Sequence, residues 1–227
     1  RGRRSSFQDR LSSSSSSSRG GVESKVSMMR AVFEKLVEVS QDEEIPEGLA
    51  ETAEDLVSAD VMNHPNSDYR LLVACCLVEI LRIYAPDAPY SGDQVLATFA
   101  LIITQLRGLG TAAIRPDDER TVCNIATCNL VYHLLESLAT CKSCVIVALL
   151  ANEGVPGGLE QLVEMFEVLL TGVRPEHDES IQELVLETLQ LCIGELHAMH
   201  QPLLDTVLIQ LLPVTKNENP ASYNLAA

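Results

Sequence analysis

Three groups of residues in this chain have types and spacings that chemistry could use. Cys141-Lys142-Ser143-Cys144, with Cys123 and Cys128 upstream, offers four thiols. Four thiolates can hold zinc, and two of them can cycle between thiol and disulfide. The spacing is loose for either role, with four residues, then twelve, then two between successive cysteines. Cys123 and Cys128 also fall into a helical pattern with Val122, Ile125, Ala126 and Leu130, where a free thiol behaves as a small buried apolar group. Cys75, Cys76 and Cys192 read as core for the same reason. His197 and His200, in the sequence HAMH, stand three apart and would share a helix face. No third ligand at metal spacing is near them and Pro202 follows, so a polar helix end is expected and no metal is assigned. There is no HExxH and no GxSxG, and Gly154–Gly158 lies between helices without a Lys-Ser/Thr partner. It reads as a linker and not a phosphate cradle. A metal or redox enzyme would rest on the cysteines alone, and no enzyme activity or cofactor is expected.

The third group is Tyr84-Ala85-Pro86-Asp87-Ala88-Pro89-Tyr90. Two prolines fix φ and lower the entropy of this segment, so a peptide would meet a preformed surface. Asp87 can accept a charge-assisted hydrogen bond from a partner's Arg or Lys. Ala85 and Ala88 leave room for another backbone, and Tyr84 and Tyr90 can wall the spot. Spacing alone favours a plainer account, in which prolines stop a helix and Asp87 is a solvated turn residue.

The element before this loop has the strongest pattern in the chain. Leu71 to Leu77 is unbroken apolar sequence, and Val78, Ile80, Leu81 and Ile83 extend it. Asp68, Arg70, Glu79 and Arg82 are its few water-facing positions. A helix apolar on nearly every side is buried on more than one side. The inner helix of a stacked helical hairpin is such a case. His64-Pro65-Asn66-Ser67-Asp68 supplies its start, with Asn66 or Ser67 as cap and Asp68 favoured by the helix dipole; the helix is expected over 67–84.

Helical periodicity hardly stops elsewhere. A helix from about Glu23 to Ser40 carries Val26, Met29, Val32, Phe33, Leu36 and Val37 on one face. Others are expected at about 47–62, 92–107, 119–139, 142–152, 158–171, 178–198, 202–212 and 219–227. No strand-period segment stands out. The fold class expected is therefore all-α, an α-solenoid of HEAT- or armadillo-like helical hairpins. Residues 23–227 hold about five pairs at the ~40-residue period of such units. Residues 1–22, with serine at every position from Ser12 to Ser18, are expected to be a disordered tail. The chain begins with Arg1 and ends in a helical pattern, so it is expected to be a piece of a longer protein.

Aromatic residues make up only 4 % of the 227 and Trp is absent, which suits helix packing better than a sandwich or barrel. No apolar run approaches the ~18 residues that span a bilayer, and no membrane role is expected. Five arginines against Asp9 give residues 1–20 a charge of +4, so the remainder carries −20 of the net −16. Such a body repels phosphate backbones, so it is not expected to bind nucleic acid directly, and basic peptides are the more natural partners. Seven cysteines without a secretory segment suggest a reducing compartment, cytosol or nucleus. An odd count argues against a disulfide framework. Helical patterning alone also fits a nuclear transport receptor or a phosphatase scaffold.

HPNSDYRLLVACCLVEILRIYAPDAPY, residues 64–90, closely resembles the N-terminal region of the cohesin regulators named for precocious dissociation of sisters, the Pds family. The resemblance recurs from Leu203 to Leu212-Pro213, in Lys216-Asn217, and from Ser222 to Ala226. Phe99–Leu109 matches a similar family helix. It is weak over 112–200, and the serine-rich tail has no counterpart. The resemblance implies a non-catalytic, nuclear, chromatin-associated HEAT-repeat scaffold that maintains or releases the cohesin ring. It also implies binding to the kleisin subunit of cohesin and to the wings-apart-like release factor with its competitors. In the family the alanine-proline-acidic-alanine stretch receives short basic, tyrosine-containing motifs. That moves the reading of Tyr84, Ala85, Pro86, Asp87, Ala88 and Tyr90 to a peptide site. Some members are associated with an inositol polyphosphate, which needs clustered cations. With only four lysines, Lys25, Lys35, Lys142 and Lys216, that feature is not carried over.

Overall fold

The computed structural model describes residues 18–41, 45–112 and 125–227. Residues 1–17 of the expected tail lie outside the described residues, as do Cys123 and the start of the helix expected near 119. Among the described residues there are thirteen helices and no strand. The chain divides into two compact units, Arg1–Thr98 and Phe99–Ala227.

The first unit holds α1 (Ser18–Val37), α2 (Leu49–Leu56), α3 (Ala59–Met62), α4 (Ser67–Tyr84) and the beginning of α5 (Gly92–Leu106). Its centre is α4, against which α1, α2 and α3 all pack. Thirteen of the eighteen residues of α4 are buried, as its all-round apolar pattern requires. Its start is fixed by Asn66, whose Oδ1 accepts from the Tyr69 N–H at 2.8 Å. Arg70 closes the turn by donating from Nη1 to the His64 carbonyl at 2.6 Å. Met29 of α1 meets Cys76 of α4, their sulfurs 3.8 Å apart.

Three expectations change here. Helix α1 begins at Ser18, so Ser18 to Val22 are helical and not part of a tail; once the buried face has nucleated the helix, extending it one residue further is cheap. The helix expected over 47–62 is broken. Ser58 is extended at φ −65 and ψ 144, and its hydroxyl donates to the Asp55 carbonyl at 2.7 Å. A serine that bonds the backbone locally competes with helix continuation. Finally, Glu79 faces the interior and not water, at 2 % exposure. It is held there by Arg82, whose Nε donates to Glu79 Oε2 at 2.6 Å.

The second unit holds the rest of α5, then α6 (Leu109–Ala112), α7 (Ile125–Thr140), α8 (Val145–Asn152), α9 (Gly158–Gly172) and α10 (Glu179–Glu195). It ends with α11 (Gln201–Gln210), α12 (Pro213–Glu218) and α13 (Pro220–Ala226). Alternate helices stack, α8 on α10 and α9 on α11, while α9 also packs against α8, α6 and α13. Leu162, Met165, Phe166, Leu169 and Leu170 of α9 are fully or almost fully buried. The turn before α9 needs its glycines. Gly157 has φ +91, and a Cβ on Gly158 would stand 2.9 Å from the Leu150 carbonyl. An additional short helix, α12, starts at Pro213, where a missing N–H costs nothing in the first turn. Among the described residues no single helix is long and apolar enough to cross a membrane.

In each unit the helix ends are joined at a recurring separation in sequence. Arg82 reaches the carbonyls of Leu36 and Val39, 46 and 43 residues away, and Gln41 reaches that of Arg82, 41 away. Asn152 bonds Glu195 and His197 at separations of 43 and 45, and Asn219 bonds Val173 at 46. Turn-to-turn bonds at this interval are what stacked two-helix repeats of about 40 residues produce.

Candidate functional site: the rigid exit of α4

The 85–90 loop leaves α4 through two backbone turns. The Ala85 N–H bonds the Arg82 carbonyl at 3.4 Å, and the Asp87 N–H bonds the Tyr84 carbonyl at 3.1 Å. The Ala85–Pro86 peptide bond is cis. The downstream end is fixed by a reciprocal cap. The Ser91 N–H donates to Gln94 Oε1 at 2.9 Å, and the Gln94 N–H to Ser91 Oγ at 3.4 Å. This Ser-x-x-Gln box starts α5 locally.

Ala85, Pro86 and Asp87 are exposed, while Tyr84, Ala88, Pro89 and Tyr90 are half-buried. The Asp87 carboxylate makes no hydrogen bond or ion pair among the described residues. Tyr90 is placed differently from Tyr84. Its hydroxyl is buried and has no hydrogen-bond partner among the described residues, and burial pushes its ionisation far up, with Tyr84 and Cys76 nearby. Tyr90 offers a partner ring surface and no hydroxyl.

What the sequence missed is the root of the loop. The Arg82 Nη2 donates to the Leu36 carbonyl at 3.0 Å and the Val39 carbonyl at 2.8 Å. Gln41 Nε2 donates to the Arg82 carbonyl at 2.7 Å. The last turn of α1 and the last turn of α4 are thus joined through one guanidinium, whose charge Glu79 balances. The only signal in the sequence was a Glu-x-x-Arg pair on an otherwise apolar helix.

The other chemistry-bearing residues do not assemble. Among the described residues no group of three or more His, Cys, Asp or Glu can hold a metal ion. Cys75, Cys76, Cys144 and Cys192 are buried and Cys141 is half-buried. Burial pushes the Cys75 thiol up to about 12 and raises Cys76 well above the ordinary thiol value; a thiol held protonated is a poor nucleophile. Cys192 donates to the Cys144 carbonyl at 3.5 Å, joining α10 to the start of α8. Cys128, in contrast to the expectation of free thiols throughout, is disulfide-bonded. His197 and His200 do not share a helix. Helix α10 stops at Glu195 because Asn152 takes the Glu195 carbonyl at 2.7 Å and the His197 N–H at 3.0 Å, and both histidines fall in the connection to α11.

The buried inner helix and the repeat interval together define a helical-repeat protein. The comparisons make the class specific. The model of the family described as sister chromatid cohesion protein PDS5 matches residues 25–227, and the chain belongs to that family. It is 37 % identical over 172 residues to PDS5 homolog A of Danio rerio, covering 75 % of this chain and 12 % of that protein. It is 34 % identical over 203 residues to the Homo sapiens homolog A, covering 88 % of this chain and 14 % of that one. The chain thus spans about an eighth of these relatives' length. A solved structure of the Pds5–Scc1 complex superposes with a TM-score of 0.71 at 24 % identity, over 93 % of this chain and 29 % of that one. The fold is the expected one, all-α and built of HEAT-like helical repeats.

Proposed function

We propose that this chain is a non-catalytic, nuclear and chromatin-associated scaffold segment of a cohesin-associated regulator of sister chromatid cohesion. Its 85–90 corner receives basic peptide motifs. Family membership supports the cohesion role, and the partners follow by analogy: the kleisin subunit of cohesin for the longer protein, and the wings-apart-like release factor with its competitors for the corner. The observation that carries the peptide reading is Asp87. It is a solvent-facing carboxylate without a partner, held on a loop stiffened by Pro86 and Pro89 and launched from the most deeply buried helix of the first unit. A stiff loop loses little entropy on binding, so a small contact area suffices.

The test is charge reversal. Asp87→Lys should weaken binding of a wings-apart-like basic peptide at least about tenfold, the equivalent of one charge-assisted hydrogen bond, with helical circular dichroism unchanged. Binding at wild-type affinity would remove the corner from the recognition surface.

A further inference from the structure

Two groups in the first unit have no role in the recognition just proposed, yet they meet where the loop begins. The Arg82 carbonyl is the acceptor for the loop's first bond, from the Ala85 N–H at 3.4 Å. The same oxygen accepts from Gln41 Nε2 at the shorter distance of 2.7 Å. The Arg82 side chain meanwhile spans Leu36 O, Val39 O and Glu79 Oε2. One residue therefore ties the exit of α1 to the exit of α4 in both directions, through its guanidinium and through its carbonyl.

We infer that Arg82 and Gln41 are positioning residues for the 85–90 corner and set its affinity for basic peptides; this rests on the reading of that corner as a peptide site. The downstream end is anchored only by the local Ser91–Gln94 box. The upstream end takes its orientation from a residue 41 positions earlier in the chain. With Pro86 and Pro89 suppressing bending in between, a shift at the root moves Asp87 as a unit and is not absorbed on the way. Lysine cannot replace Arg82, because an ammonium lacks the planar fork that serves a carboxylate and two carbonyls from fixed directions. Glu79 stays paired in an Arg82→Lys chain, so that variant loosens the root without leaving a buried charge alone.

The experiment uses the whole chain, its Gln41→Ala, Arg82→Lys and Asp87→Lys variants, and a synthetic peptide with one tyrosine flanked by arginine and lysine. Amide hydrogen exchange at Ala85 and Asp87 is followed alongside peptide dissociation. Gln41 lies on the surface, so Gln41→Ala should leave the urea midpoint in place. It should speed exchange at both amides and raise the dissociation rate about fivefold, as loss of preorganisation does. Arg82→Lys should do the same more strongly. Wild-type dissociation in both variants, with Asp87→Lys unable to bind, would overturn the positioning role and leave the peptide site standing. If Asp87→Lys binds normally, the peptide reading fails; unchanged amide exchange in Gln41→Ala and Arg82→Lys would then overturn the positioning role independently.

Discussion

In the first unit the helix ends are joined by a guanidinium and a carboxylate: Arg82 with Glu79, reaching Leu36 and Val39. In the second unit neutral groups make the corresponding connections. Asn152 bridges α8 to the end of α10. Asn219 donates from Nδ2 to the Val173 carbonyl at 2.8 Å while its Oδ1 accepts from the Ser222 N–H at 3.4 Å. His177 sits between the Arg174 N–H at 2.9 Å and the Leu109 carbonyl at 3.1 Å. Both solutions satisfy backbone groups left open where helices end. They differ in what happens when one side is removed. A neutral amide leaves behind one or two unsatisfied backbone groups, whereas the guanidinium leaves behind a buried charge.

That difference orders the expected outcomes. The largest effect belongs to Arg82→Met, which removes the guanidinium that ion-pairs with Glu79, whose side chain is only 3 % exposed. It should cost about 3 kcal/mol or more, read as a fall in the urea midpoint. Adding Glu79→Gln should recover a large part of that loss; failure to recover any would mean that the packing of Arg82, and not its charge balance, carries the energy. Asn219→Ala comes next. Asn219 is buried and bonds two backbone groups, so about 2 kcal/mol should be lost, with the salt dependence of unfolding unchanged.

The smallest effect is a pH dependence confined to the neutral type of junction. Burial holds the His177 pKa below its ordinary value of 6.5, against the raising influence of its bond to Leu109. Leu109 offers only an acceptor and Arg174 N–H only a donor, so the imidazole must be neutral with its proton on Nε2. Above pH 6.5 the ring is neutral in both the folded and the unfolded chain, and its contribution is complete. As the pH falls below 6.5 the unfolded chain binds the proton first, so stability drops by at most about 1.4 kcal/mol per pH unit until the folded ring also protonates. His177→Asn should remove that slope, measured by urea unfolding between pH 7 and pH 5. A slope that survives the substitution would assign it to another group.

The exposed corner shows how far a single sequence reaches. The helix over 67–84 and a cap at Asn66 or Ser67 were legible because an all-round apolar run and a capping side chain are local signals; the structure takes Asn66. Pro86 and Pro89 announced the loop for the same reason. The inward turn of Glu79 was not legible. A carboxylate on a helix reads as water-facing unless its counter-ion and the next helix are already in place. The break at Ser58 and the early stop of α10 at Glu195 escaped for a related reason. In the first a hydroxyl chose a local carbonyl; in the second Asn152 reached across from another helix.

By itself, then, the order of residues determined the helical class, the buried inner helix and the stiff acidic corner, because each depends on periodicity, capping or side-chain type within a few neighbouring positions. The tertiary structure alone decided which side chains serve as junctions: Arg82 with Gln41 in one unit, and Asn152, Asn219 and His177 in the other. Those pairings join residues more than 40 positions apart, and a donor's choice among many backbone carbonyls depends on packing that no local pattern encodes.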